Sequence, residues 1–303
     1  MSRINTLFRL VLHPKQLIYR LVNKYPWIIK DDKKYIQFLW KYRMDYPLNL
    51  NHPKTYNEKL QWLKLYNKDS LYTTMVDKYL VKEYVANIIG KEYIIPTLNV
   101  WDNVDSIDFK SLPNQFVLKC THDSGGLVIC KDKNKLDIIK AKKKIKKSLN
   151  TNFYLLAREW PYKNVRRKIL AEKYMEDMET KELRDYKFFC FNGIPQFLFI
   201  ATGRQSQEEP YFDFFDMDFN RLPFKHGHPN APILPKKPKN FNLMKKLAEK
   251  LSKDLPHVRV DLYEINGKVY FGELTFFHHS GMVPFEPQEW DYKIGEMIKL
   301  PKS

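Results

Sequence analysis

The stretch HVRVDLYEINGKVYFGELTFFHHSGM, residues 257–282, reads as two β-rich runs, 258–263 and 268–275, on either side of Asn266-Gly267. That dipeptide favours a two-residue hairpin turn, because both turn residues must take positive φ, which Asn and Gly tolerate. Closing the hairpin brings Asp261 on one strand toward Glu273 on the other. Arg259 stands two residues before Asp261, and on a strand that spacing puts both side chains on one face. Two carboxylates beside a guanidinium suit a Mg2+-bound polyphosphate, since hard oxygen ligands take the metal and the arginine takes an oxyanion. An ordinary ion pair on a half-exposed hairpin uses the same residues, so the rest of the chain decides between the two.

The chain has 303 residues, enough for one large or two modest domains with a proper core. Its 19 Tyr, 20 Phe and 6 Trp within a 44% apolar composition argue for a folded protein. Cys120, Cys130 and Cys190 form no CxxC pair and no ligand-like spacing with histidine, which predicts free, buried thiols in a reducing compartment. No apolar run approaches about 18 residues, and the start lacks the pattern of a cleaved export signal. The expected location is the cytoplasm.

A net charge of +17 asks for a partner, with lysines crowding 131–147 and 235–246. Nucleic acid, an anionic membrane surface or an acidic polymer each fit, as does a merely solvated lysine-rich surface. The chain carries no helix-turn-helix, zinc-finger or RNP signature, so no nucleic acid is expected. Residues 1–30 interleave Arg3, Arg9, Lys15, Arg20 and Lys24 with Ile4, Leu7, Leu17, Ile18 and Leu21, and Pro14 divides the pattern. Such a segment suits a membrane interface, or two short helices packed on the body.

Further along, Thr55 with Glu58 three residues later reads as a capping box opening a helix through Leu65. Residues 69–89 read as one helix and 93–96 as a short strand. Strands are predicted at 115–120 and 127–130, then a lysine-rich helix at 136–149 and a strand at 168–174. A second hairpin spans 186–192 and 194–202 across Asn192-Gly193, a long polar loop covers 203–239, and a helix covers 240–255. The irregular alternation points to an α+β fold with antiparallel sheets rather than one parallel sheet.

Two other segments carry chemistry. In FVLKCTHDSGG, residues 116–126, Lys119 lies inside an apolar strand just before a Ser-Gly-Gly turn. A lysine there is costly unless paired, so it is expected to face an anion in a cleft. The backbone N–H groups of the turn can cradle phosphate oxygens. Neither GxxxxGK[ST] nor GxGxxG is present, so neither a P-loop nor a dinucleotide fold is supported. In ILAEKYMED, residues 169–177, an apolar strand runs directly into charges, a pattern that suits a nucleotide hinge as well as a plain strand end.

The order of these features resembles the ATP-grasp superfamily. DKYLVKEYV (77–85), FVLKCTHDSGG (116–126), DYKFFCFNG (185–193) and VDLYEINGKVYFGELTF (260–276) are similar to the TupA-like, teichuronopeptide-biosynthesis branch of it, over about residues 50–300. The resemblance implies an ATP-grasp fold in which two α+β subdomains with antiparallel sheets grip ATP, preceded by a helical N-terminal segment. After the basic amphipathic helical segment, taken over 1–50, it implies an N-terminal α/β subdomain over 51–113, a lid over 114–176 and a C-terminal subdomain with the metal site over 177–303. Lys119 would contact the α/β-phosphates, and His122, Ser124, Gly125 and Gly126 would belong to a phosphate-covering loop. Glu172 and Met175 would bind adenine within the hinge that Lys173 and Tyr174 complete, with Asp177 near the ribose. Lys187 would face the phosphates, Asp261, Glu273 and Thr275 would hold Mg2+, and Arg259 would stabilise the acyl-phosphate or tetrahedral oxyanion. Thr275 stands where the superfamily usually has Asn.

The implied reaction is ATP-dependent amide formation between a carboxylate and an amine through an acyl phosphate. The partners implied are ATP, a uronic-acid-containing glycan or lipid-linked acceptor, and an amino-acid amine donor. The basic charge would then draw the protein to the inner face of the cell membrane as a peripheral protein. Arg204, His278, His279 and Ser280 would line the substrate side. A glycosyltransferase or sugar kinase, or a non-catalytic basic protein that binds membrane or anionic polymer, are the alternatives. Asp216-Met217-Asp218 matches the short DxD pattern of glycosyltransferases, but a three-residue match in a loop has little specificity. His226, His228, His278 and His279 make HxH and HH pairs that lack a further ligand at zinc spacing along the chain.

Overall fold

A computed structural model of the chain describes residues 14–179, 183–203 and 209–302. Helices α1 (Pro14–Lys24), α2 (Asp32–Arg43), α3 (Tyr56–Tyr66), α4 (Leu71–Val76) and α5 (Leu80–Ile89) come first. Strands β1 (Thr97–Trp101), β2 (Phe116–Cys120) and β3 (Leu127–Cys130) follow, then α6 (Ile138–Leu149), α7 (Phe153–Ala157) and β4 (Ile169–Lys173). The remainder comprises β5 (Asp185–Phe191), β6 (Ile194–Thr202), β7 (Tyr211–Asp216), β8 (Lys225–His226), α8 (Phe241–Ser252), β9 (His257–Ile265), β10 (Lys268–Thr275), β11 (Phe285–Glu286) and α9 (Glu289–Met297).

The strands form two main antiparallel sheets, β1–β4–β2–β3 and β10–β9–β5–β6–β7, and a small β11–β8 ribbon. The smaller sheet buries Phe116, Leu118, Cys120 and Ile169 against Ile145 of α6. The larger sheet is built on phenylalanines, with Phe188 packing toward Phe241 of α8 and Phe189 stacked on Phe197. Phe188 and Phe189 are consecutive on β5 and so point to opposite faces of the sheet, and both faces are covered, which leaves β5 buried along its whole length.

Both hairpins turn where the sequence predicts. Asn266 and Gly267 take φ of 51° and 75°, and Asn192 and Gly193 take 50° and 82°. One device in the β9–β10 hairpin is not legible in the sequence. The β9–β10 register slips by one residue at Gly272, so that Glu273 rather than Gly272 stands opposite Asp261. Without that bulge Glu273 would point to the other face of the sheet.

Three sequence expectations are corrected. The helix over 69–89 breaks at Asp77, whose Oδ1 accepts the N–H groups of Tyr79 and Leu80 and so caps a new helix start. Residues 91–93 form a 3-10 turn, and the strand begins after Pro96. The loop over 203–239 contains β7, whose YFDFFD pattern is aromatic enough to join the sheet edge between proline-rich flanks.

The capping box at Thr55 forms as expected, with Thr55 Oγ1 accepting from Glu58 N at 3.1 Å and Glu58 Oε2 from Thr55 N at 3.1 Å. This helix start is clamped by α9, where Gly295 lies against the Lys54 carbonyl and the Thr55–Tyr56 peptide. A Cβ there has backbone on every near side. Gly295→Ala is therefore expected to cost about 1–3 kcal/mol, as overpacked core substitutions do, read from urea unfolding. A loss below a few tenths of that would show that the α3–α9 contact yields easily.

At the N-terminal end, Val22, Tyr35, Ile36 and Leu39 pack with Met282, so α1 and α2 dock on the body. The same helix leaves Leu17, Ile18 and Leu21 outside, and Trp27 and Ile28 are more than half exposed. Residues 1–13 lie outside the described residues. Among the described residues no helix is long and apolar enough to cross a membrane. Cys120, Cys130 and Cys190 are all free and buried.

Candidate active site

The two sheets face each other across a cleft of about 1160 Å³, part of it open to solvent. One wall is Lys119, Glu172, Tyr174 and Met175; the other includes Ala201 and Tyr263. A narrower continuation passes Lys78, Lys82, Lys119 and Glu172 to reach Glu273. The hinge residues and Glu273 thus stand at opposite ends of one groove, with Asp261 buried behind Glu273.

Between those ends, lysines converge. Glu172 of β4 faces Val117 in register, and Lys119 lies two residues along the same face of β2. The Glu172 carboxylate pairs with Lys119, and with Lys82 at 2.6 Å. Burial disfavours its charge, yet Lys119 and Lys82 hold its acidity above that of an ordinary glutamate. Lys82 also donates to the Ile95 carbonyl at 2.7 Å, and Lys78 donates to the Asp123 carbonyl. Burial lowers the pKa of both lysines, opposed by Glu172 at Lys82 and by Glu273 at Lys78. Three lysines thus share this stretch of the groove with one carboxylate.

Lys78 and Lys82 were not singled out as site residues. They lie at and just beyond the break at Asp77, within the motif 77–85, where lysines four apart look like an ordinary solvated face. The placement of Glu172 also differs from its implied role. Its carboxylate is taken up by Lys82 and Lys119, while Lys173, Tyr174 and Met175 line the wider end of the cleft. Asp177 accepts from Glu179 N at 3.1 Å and from Asn266 N at 2.7 Å, tying the hinge to the β9–β10 turn.

The Ser-Gly-Gly turn divides into an anchor and a tip. His122 is buried, with Nε2 at 3.0 Å from the Thr151 carbonyl, so it faces the protein and not the cleft. Asp123 accepts from Gly126 N at 3.1 Å and from the Ser148 hydroxyl. Gly126 is packed so closely on Ser148 that a Cβ has no room. Ser124 and Gly125 form the exposed tip.

At the other end, Arg259 organises the carboxylates. Its Nε and Nη2 donate to the two oxygens of Asp261, each at 2.7 Å, and Nη2 also reaches Glu273 Oε1 at 3.1 Å and Thr275 Oγ1 at 3.0 Å. Nη1 approaches His278 Nδ1 at 2.6 Å. Lys187 pairs with Asp261 and, at 3.2 Å, with Asp185. Arg259 is thereby saturated by protein partners and lies buried, which differs from the substrate-facing role implied for it. Burial opposes the charge on Arg259, but the Asp261 and Glu273 carboxylates raise its pKa further.

Three oxygens from Asp261, Glu273 and Thr275 surround the single cationic nitrogen Nη2. The donor set of two carboxylates and a hydroxyl is the hard-oxygen chemistry that Mg2+ takes, with Thr275 supplying a hydroxyl where Asn is usual. Glu273 keeps two-fifths of its side chain exposed toward the groove. Burial at the cleft floor disfavours its ionised form, yet Lys187, Arg259 and Lys78 hold its pKa at about 2.

A pH signature follows. The Glu273 carboxyl moves from the ordinary 4.5 to about 2 on folding, so its contribution is complete above about 4.5 and vanishes as pH falls toward 2. Glu273→Gln is expected to lose less stability than the parent over that window in urea titrations. Equal slopes for the two proteins would show that these cations do not act on Glu273.

Of the residues expected on the substrate side, Ser280 donates to Glu159 at 2.6 Å, and His279 and Ser280 take φ of 49° and 56°. His278 is buried behind Arg259, and Arg204 lies outside the described residues. Asp216 accepts from the backbone of Asp218 and Asn220 and closes a turn, which is a structural use of the DxD pattern.

The family described as TupA-like ATP-grasp matches residues 58–299. No curated protein matches the sequence. Among solved structures, D-alanine–D-alanine ligase from Helicobacter pylori is 15% identical, with a TM-score of 0.42, covering 80% of this chain and 69% of that one. The same ligase from Bacillus anthracis is 12% identical with a TM-score of 0.40, covering 67% and 57%. D-alanyl-alanine synthetase A from Vibrio cholerae is 13% identical with a TM-score of 0.43, covering 74% and 61%. The chain thus spans about three fifths to two thirds of the length of these ligases.

Proposed function

The chain belongs to the TupA-like ATP-grasp family, a class of ATP-dependent carboxylate–amine ligases, and on that premise we propose that it joins an amino acid or similar amine to a uronic-acid carboxyl of a surface polysaccharide. The observation that carries the proposal is the groove itself. Hinge backbone at Tyr174 and Met175, lysines 78, 82 and 119, and the Asp261–Glu273–Thr275 oxygens occur in the order that base, phosphates and metal take along ATP.

In this reading the acceptor carboxylate attacks the γ-phosphorus of ATP, ADP leaves, and the amine then displaces phosphate from the acyl phosphate through a tetrahedral intermediate. When bound, Mg2+ supplies charge neutralisation for the phosphates, held by Asp261, Glu273 and Thr275. Lys78, Lys82 and Lys119 position the triphosphate, and catalysis rests on orientation and charge rather than on a side-chain nucleophile. Residues 114–176 are read as the lid and 177–303 as the subdomain that carries the metal ligands.

The glycan assignment is supported by the +17 charge, which suits an acidic polymer. Peripheral attachment at the inner membrane face is supported by the exposed Leu17, Ile18, Leu21, Trp27 and Ile28 beside Arg20 and Lys24. The test is ADP release measured across panels of uronic acids and amines. Release that requires both a carboxylate and an amine is expected. Release with a sugar hydroxyl alone would favour a kinase, and no release with any pair would overturn the ligase assignment.

A further inference from the structure

Behind Arg259 lies a histidine cluster that the ligase chemistry does not use. His226 comes from the β8–β11 ribbon, and His278 and His279 from the turn after β10. One nitrogen from each lies within 4.8 Å of the other two. Each of the three rings also carries an orphan nitrogen: His226 Nδ1, His278 Nε2 and His279 Nε2 are buried without a hydrogen-bond partner. Buried polar atoms are ordinarily paired, so three together ask for a missing partner.

We propose that His226, His278 and His279 bind one transition-metal ion of the zinc class, at a site separate from the Asp261–Glu273 carboxylates. An all-imidazole donor set suits zinc, cobalt or nickel and does not suit Mg2+, which requires oxygen. His226 is already arranged as a ligand. Its Nε2 lies 3.0 Å from the Val283 carbonyl and must donate to it, which leaves the Nδ1 lone pair free. Fixing the outer nitrogen on a carbonyl is the usual second contact of a metal-bound histidine. The ring is also stacked 3.8 Å from Phe285, which holds its orientation.

His279 is delivered by a backbone in the left-handed region, and its Nε2 lies over Gly227, where a Cβ would stand 2.8 Å away. His278 differs, because Arg259 donates to its Nδ1 and so places the proton on Nε2. Metal binding forms an ion–Nε2 bond and releases that proton to solvent, and the guanidinium offsets the imidazolate that remains. Zinc–nitrogen bonds of about 2.0–2.1 Å put tetrahedral ligands roughly 3.4 Å apart, so the widest pair closes by up to roughly 1.4 Å. An ion here would fix His278 and, through it, the arginine that holds Asp261 and Glu273.

The test uses the full chain stripped with chelator and titrated with zinc by calorimetry in millimolar Mg2+ without ATP, with Co2+ absorption as a second readout. One equivalent is expected, with the strong visible bands of four- or five-coordinate cobalt. His226→Ala and His279→Ala should each weaken zinc binding by on the order of tenfold or more, whereas His52→Ala, on the exposed loop before α3, leaves it unchanged. Failure of the parent to take up zinc, zinc binding unaltered in both variants, or only the weak bands of six-coordinate cobalt would each overturn the site. The cobalt spectrum of the parent decides the matter should either variant fail to fold.

Discussion

Glu273→Gln is expected to lower ligase turnover by about 10²–10³-fold while leaving the fold intact. The substitution keeps the shape and removes one charge from the oxygen set formed with Asp261 and Thr275. Loss of an electrostatic contact to developing phosphate charge costs about 3–4 kcal/mol in comparable sites, and each 1.36 kcal/mol is a factor of about ten. Glu273 is partly exposed and packs no core, so far-UV dichroism should be unchanged, and the unfolding midpoint should fall only by the loss of its attraction to Lys187, Arg259 and Lys78. Turnover within about tenfold of the parent would remove Glu273 from the metal set. The ADP-release assay under saturating ATP distinguishes these results.

Arg259→Met has a different signature, because Arg259 is a structural counter-charge as well as a neighbour of the reaction. Removing it leaves Asp261, which is fully buried, with only Lys187, and leaves His278 Nδ1 without its donor. Breaking a buried pair by deleting one partner typically costs about 3–5 kcal/mol. The variant is expected to lose that much in urea unfolding and to lose turnover as well. Arg259→Lys should restore little of either, since a single ammonium cannot match two parallel N–H···O bonds. An Arg259→Met protein as stable as the parent would mean that Asp261 is neutral in the fold and that Arg259 serves only the substrate.

Much of the fold was legible because its punctuation is local. Asn-Gly at 192–193 and 266–267 dictates positive φ, and the Thr55–Glu58 box marks a helix start without reference to anything distant. The Arg259–Asp261 contact was legible for the same reason, as period two on a strand decides it. What escaped depends on tertiary placement. The bulge at Gly272 is a one-residue choice that an isolated glycine only hints at, yet it sets Glu273 opposite Asp261.

Lys78 and Lys82 read as solvated lysines until β2 and β4 close over them and supply Glu172. His122 looked like a cleft residue because its neighbours are glycine and serine, but the Thr151 carbonyl draws it inward. β7 was hidden by the prolines on its flanks. The histidine cluster could not be seen from spacing, since the β8–β11 ribbon brings His226 to the turn that carries His278 and His279.

The most direct test of the nucleotide groove is calorimetric ATP binding with and without Mg2+, on the parent and on Lys119→Ala and Glu273→Ala. Micromolar binding that requires Mg2+, and that both substitutions abolish, is the predicted result. Absence of ATP binding to the parent with carboxylate and amine candidates present, or binding indifferent to both substitutions, would contradict it.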